Sequence, residues 1–141
     1  MSAIAIDVGK ARIGVAFNVG ELVLAHGVIP RNEGSIASLA EIAAERGAER
    51  IFVGLPLKLS GESSATTMDS VAVARELADV VAVPVLLIDE RLTTKSASAA
   101  LREAGLDARS GKSVVDAESA RIILETALRT KSAMQLEEFD A

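Results

Sequence analysis

Three carboxylates in this sequence stand where a carboxylate is costly. Asp7 follows Ala3, Ile4, Ala5 and Ile6 and precedes Gly9. That run is apolar on both faces of an extended chain, the pattern of a strand covered on two sides. Glu90 follows a second such run, Val85 to Ile88, beside Asp89. A charge placed there needs a neutralising partner, and the carboxyl edge of an open sheet is where ligands bind. Asp116 shares a helical stripe with Ala120, Ile123 and Ala127, which should face the sheet, whereas Glu118, Arg121, Glu125 and Arg129 form a charged face. Converging carboxylates repel unless cations lie among them, and all-oxygen ligands select Mg²⁺ or Mn²⁺. Such a site, without a nucleophilic His or Cys, points to metal-assisted phosphoryl chemistry.

Each acid also has an ordinary use that the sequence leaves open. Ser113 and Asp116 have the spacing of a capping box, Asp7 before Gly9 could shape a turn, and Glu90 could pair with Arg91. Other signals carry less. Gly111-Lys112-Ser113 resembles the end of a phosphate-binding loop, but Leu106 stands where the earlier glycine is required and the segment follows a helix. His26, the single histidine, lies in an apolar strand and reads as a buried structural residue. The Ser- and Thr-rich stretch from Ser60 to Thr67 precedes a helix and could hold a phosphate; helix capping by Thr66 or Thr67 is the simpler use.

The elements that must position the acids alternate. Ala3 to Asp7, Ile13 to Asn18 and Leu22 to Ile29 read as three strands joined by short turns, hence antiparallel, with Gly27 marking a bulge. Ser35 caps a helix ending at Gly47, and Ile51 to Leu55 is a buried strand. A helix carrying Val71, Ala74, Ala78 and Val81 leads to the strand at Val85. Another helix runs from Thr93 or Thr94 to Gly105, a basic loop (LDARSGKS) follows, and a last helix spans roughly Val114 to Arg129. Strands reached through helical crossovers lie parallel to their neighbours. We expect one domain over residues 1–131 and a flexible acidic tail over 132–141.

Composition sets the limits. The 141 residues suit one core, which is aliphatic, since there are three Phe and no Trp or Tyr. The absence of Cys excludes disulfides and thiolate chemistry. No apolar run approaches the roughly 18 to 20 residues of a membrane span, and no signal-peptide pattern opens the chain, so a cytoplasmic location is expected. The net charge of −5 argues weakly against nucleic acid, because an acidic metal site and the tail residues Glu137, Glu138 and Asp140 contribute to it.

Four segments in order, DVGKARIGVA (Asp7 to Ala16), VGLPLKLSG (Val53 to Gly61), DERLTT (Asp89 to Thr94) and VDAESARIIL (Val115 to Leu124), resemble the signatures of the YqgF family. The resemblance spans nearly the whole chain. It implies an RNase H-like α/β fold, a five-stranded mixed sheet of order 3-2-1-4-5 with its first three strands antiparallel, flanked by helices. It implies a divalent-metal nuclease for 5′-end processing of pre-16S rRNA in ribosome biogenesis, or a Holliday junction resolvase acting on branched DNA. Asp7, Glu90 and Asp116 match the family's three acids, which would be catalytic and metal-binding. Ala11 and Ser119 depart from the family pattern without touching them.

In this reading Asp7, Glu90 and Asp116 hold one or two Mg²⁺ or Mn²⁺ ions, while Lys10, Arg12, Arg91, Arg109 and Lys112 contact phosphates. Glu90 ends a strand two places from that of Asp7, about 9 to 10 Å away at normal strand spacing, so Asp89 is the alternative ligand. A non-catalytic, ribosome-associated binding module is the rival without turnover. An actin-like sugar kinase or ATPase is the enzymatic rival, but it needs two such domains. The chain is expected to be a monomer or a homodimer; resolving a junction requires paired cuts, hence a dimer.

Overall fold

The computed structural model of the protein describes residues 1–93, 111–130 and 133–139. Its elements are β1 (Ala3–Val8), β2 (Arg12–Val19), β3 (Leu22–Pro30), α1 (Ser35–Glu45), β4 (Arg50–Leu55), α2 (Ala65–Ala78), β5 (Val85–Asp89), a 3₁₀ turn (Glu90–Leu92), α3 (Gly111–Arg129), β6 (Met134–Gln135) and a closing 3₁₀ turn (Leu136–Glu138). The helix expected from Thr93 or Thr94 to Gly105 and the loop residues before Gly111 lie outside the described residues.

The strands form one sheet of order β3-β2-β1-β4-β5-β6. β1 to β3 are antiparallel, as their short turns require, and β1, β4 and β5 are parallel. The expected order 3-2-1-4-5 is therefore present, with a sixth strand added at the β5 edge. That strand corrects the expectation of a flexible tail for residues 133–139. Met134 and Gln135 pair with Leu87 and Leu86, while Met134, Leu136 and Phe139 pack on the core. Apolar contacts and ladder bonds outweigh the charge of Glu137 and Glu138.

The sheet divides two apolar layers. Ile4, Ile6 and Val8 of β1 pack with Leu39 of α1 and Val71, Ala74 and Leu77 of α2. On the other face Ala3 and Ala5 meet Ala120, Ile123, Leu124 and Ala127 of α3. Alternation along β1 thus puts bulky residues under two helices and alanines under one, so α3 lies close. It also turns Asp7, two residues beyond Ala5, toward α3.

Several local expectations shift. The α1 N-cap is Gly34 rather than Ser35; the Ser35 hydroxyl accepts from the Asn32 N–H and donates to the Pro30 carbonyl. Ser64 caps α2, and Thr67 completes its capping box while also donating to the Pro56 carbonyl. His26 is exposed rather than buried. It is the extra residue of a β3 bulge, since Val15 pairs with Gly27 and Ala16 with Ala25, and its Nδ1 lies 3.1 Å from Arg46.

Candidate active site

Asp7 sits between two glycines. On β2 its cross-strand partner is Gly14. On β4, where Ile6 pairs with Val53, the next residue is Gly54. A side chain at either position would meet close neighbours. A Cβ on Gly14 would overlap the main-chain carbonyl of Asp116, so α3 rests its backbone directly on β2 there. A Cβ on Gly54 would lie 2.6 Å from Ile123 Cδ1, 3.0 Å from Glu90 Cδ and 3.2 Å from Glu90 Cγ. The Glu90 side chain therefore crosses β4 above Gly54 and reaches Asp7. This removes the distance problem of a ligand two strands away. A glycine within an apolar strand is the sequence signal for such a close approach, and both Gly14 and Gly54 carry it.

Asp7 and Glu90 share a hydrogen bond between their carboxyl groups, which requires a proton on one of the two. Burial raises both pKa values. Asp7 rises to about 6, through burial and then the charge of Asp116, opposed by the bond from Glu90. Glu90 rises to about 8, through burial and then the charge and hydrogen bond of Asp7, with Asp89 adding to it. This pair carries more negative charge potential than its surroundings neutralise.

The third acid is close but engaged elsewhere. Asp116 Oδ2 accepts from Arg12 Nε at 2.6 Å, both side chains partly buried. Because α3 begins at Gly111, Ser113 lies inside the helix rather than at its N-cap. Ala120, Ile123 and Ala127 of the same stripe are buried, and Arg121 pairs with Glu118 and Glu125 on the solvated face. Among the described residues no three acidic or histidine side chains are arranged to hold an ion. The expected common pocket is thus two acids in contact and a third turned to a guanidinium.

Asp89, the alternative to Glu90, caps the 3₁₀ turn through the Arg91 N–H and binds the Arg91 guanidinium at 2.6 Å; that hydrogen bonding holds its carboxyl below the usual range despite burial. Of the basic candidates, Lys10 is exposed at the β1–β2 turn, Arg12 holds Asp116, and Arg91 holds Asp89. Lys112 lies in the first turn of α3, and Arg109 is outside the described residues. Arg31 was not foreseen. Its N–H donates to the Ala11 carbonyl, and its guanidinium donates to the Gly9 carbonyl and, bidentately, to Asp69 of α2. It ties the turn carrying Lys10 and Arg12 to the opposite helix layer.

The donor set fits a hard divalent cation: carboxyl oxygens only, two of them held in contact by a shared proton that a cation can replace. A cation beside Asp7 and Glu90 would favour their charged forms against the burial and the neighbouring acids that now raise their pKa values.

A family model described as RuvX, Holliday junction resolvase, matches residues 1–130. Among curated relatives, a protein of Clavibacter michiganensis named "Putative pre-16S rRNA nuclease" is 44% identical over 137 residues, covering 94% of this chain and 85% of its own. A Leifsonia xyli protein of the same name is 45% identical over 133 residues, covering 91% and 85%. Among solved structures, Thermus thermophilus RuvC in complex with a Holliday junction substrate superposes with a TM-score of 0.60 at 19% identity, over 96% of this chain and 99% of that one. That likeness speaks to the fold, which is RNase H-like.

Proposed function

The chain belongs to the RuvX family, and from that premise we propose that it is a divalent-metal nuclease that hydrolyses phosphodiester bonds in 5′-end processing of pre-16S rRNA. One observation carries this reading: Glu90 is brought across Gly54 onto Asp7, beside a helix that delivers Asp116 to the same sheet face. The names of the curated relatives support the rRNA substrate.

Asp7 and Glu90 are the residues that would hold Mg²⁺ or Mn²⁺, with Asp116 as the third acid. The ion supplies a water of lowered pKa and charge neutralisation at the leaving oxygen. Asp7 and Glu90 must lose their shared proton for this. Lys10, Arg12, Arg91, Arg109 and Lys112 are the candidate phosphate contacts, independent of sequence; Arg12 and Arg91 reach a phosphate only by leaving their acids. With three Phe and no Trp or Tyr, base stacking contributes little, which suits backbone recognition. The work is assigned to the cytoplasm, with the ribosomal precursor as partner.

The test compares wild type with Asp7→Asn on labelled RNA and DNA in Mn²⁺. Loss of cleavage in the variant is expected; equal cleavage by both proteins overturns the assignment. The family description favours branched DNA as a second reading, in which paired cuts require a homodimer. Side-by-side cleavage of a four-way junction and a precursor leader separates the two.

A further inference from the structure

Arg12 and Asp116 occupy each other. Their ion pair joins the β1–β2 turn to α3 across 104 residues, at the edge of the Asp7–Glu90 pair. Both groups have a second use in the proposed nuclease: Asp116 as an ion ligand, Arg12 as a phosphate contact. Neither use is compatible with the bond between them. A guanidinium at 2.6 Å fills one carboxylate oxygen and places a positive charge where a cation would have to approach. A carboxylate in turn cancels the charge that would attract a phosphate.

We propose that Arg12 is a gate on the third acid: it holds Asp116 in the free protein, and a substrate phosphate draws it away and releases Asp116 toward the ion site. The inference rests on the nuclease reading for the identity of the phosphate. The exchange has the right ingredients. Arg12 is partly exposed, so its guanidinium can turn outward, and the turn that bears it is pinned from behind by Arg31, so the side chain moves while the backbone stays. Asp116 cannot retreat, because its main chain lies against Gly14. Released, it faces the negative charge of Asp7, with which it already interacts, and a cation between them relieves that repulsion. Ion and nucleic acid therefore strengthen each other's binding, reciprocally and by the same factor.

The test measures equilibrium binding and needs no turnover. Mn²⁺ affinity of the full chain is read by electron paramagnetic resonance of the free ion, alone and with a phosphorothioate oligonucleotide. Oligonucleotide affinity is read by anisotropy in EDTA. Wild type should bind Mn²⁺ about tenfold more tightly with the oligonucleotide present, a coupling of ordinary allosteric size. Arg12→Ala should bind Mn²⁺ about tenfold more tightly without it and lose most of the coupling. Lys10→Ala removes an equal charge from the adjacent turn; as a phosphate contact it should weaken oligonucleotide binding while retaining the coupling. Asp116→Asn, which frees Arg12, should bind the oligonucleotide more tightly in EDTA. Unchanged or weaker Mn²⁺ binding in Arg12→Ala overturns the gate, as does a coupling that survives in it or equal oligonucleotide binding by Asp116→Asn. Failure of the nuclease reading would show separately, as absent cleavage with these binding constants still measurable.

Discussion

Glu90 lies over Gly54, its Cδ 3.0 Å from the point where a Cβ would stand. The glycine is the bridge by which the acid just after β5 reaches an acid of β1, since a side chain there would stand in the way.

Gly54→Ala should therefore leave the fold in place and disable the site. The added methyl meets Ile123 Cδ1 and the Glu90 stem, both movable side chains. An overpacking cost of about 1–3 kcal/mol is expected, read as a lowered urea midpoint. Cleavage should fall by about a hundredfold or more, while oligonucleotide binding in EDTA is retained. Wild-type cleavage rates in this variant would show that the Asp7–Glu90 contact is dispensable.

Gly14→Ala meets backbone rather than side chain, at the Asp116 carbonyl. Helix α3 must lift from β2, loosening Ala120 and Ile123 as well. The stability loss should exceed that of Gly54→Ala, at about 3 kcal/mol or more on the scale of core disruption. Paired thermal melts of the two variants check the order.

The pH dependence follows from the shared proton. Asp7 at about 6 and Glu90 at about 8 both lie above the unfolded carboxyl values of about 4. The folded chain thus binds more protons than the unfolded chain between those limits. Stability from this pair is complete below about pH 4 and is lost as pH rises toward 8. In EDTA, urea midpoints should fall over that window, and Glu90→Gln should flatten the fall. Mn²⁺ affinity should rise over the same window, because ligation requires the deprotonated pair. A wild-type profile flat from pH 5 to 8 would contradict the shared proton.

Arg31→Gln should loosen the β1–β2 turn by removing both the bond to the Gly9 carbonyl and the ion pair to Asp69 of α2. Asp69→Asn tests the exposed half alone, and there a cost under about 1 kcal/mol is expected, since Arg31 keeps the Gly9 carbonyl. Faster amide exchange at Gly9 in Arg31→Gln, with Asp69→Asn closer to wild type, is the expected pattern.

Ending the chain before Ala133 should destabilise it. Met134, Leu136 and Phe139 would no longer cover the core, and β5 would become an exposed edge. Partial burial of three apolar side chains predicts a loss of about 2–4 kcal/mol, seen as a lower melting temperature for the shortened chain.

Strand order and the placement of Asp7 and Glu90 at strand ends were legible because apolar runs and short turns report topology directly. Asp116 was legible for a similar reason, its stripe being otherwise apolar. Its partner was not, because Arg12 also had the residue type and position of a phosphate contact, and local pattern cannot choose between an acid 104 residues away and a ligand. Gly54 was missed since a glycine in a strand signals a close approach without naming what approaches. The β6 segment was hidden by Glu137 and Glu138, whose charge masks the alternate apolar residues Met134, Leu136 and Phe139.

The last long helix, lying on Gly14, brings position 116 home to a hairpin completed a hundred residues earlier in synthesis. Any scission that depends on that acid must wait until α3 has been made and docked. In the proposed nuclease, a chain interrupted before α3 would hold two of the three acids and no complete site.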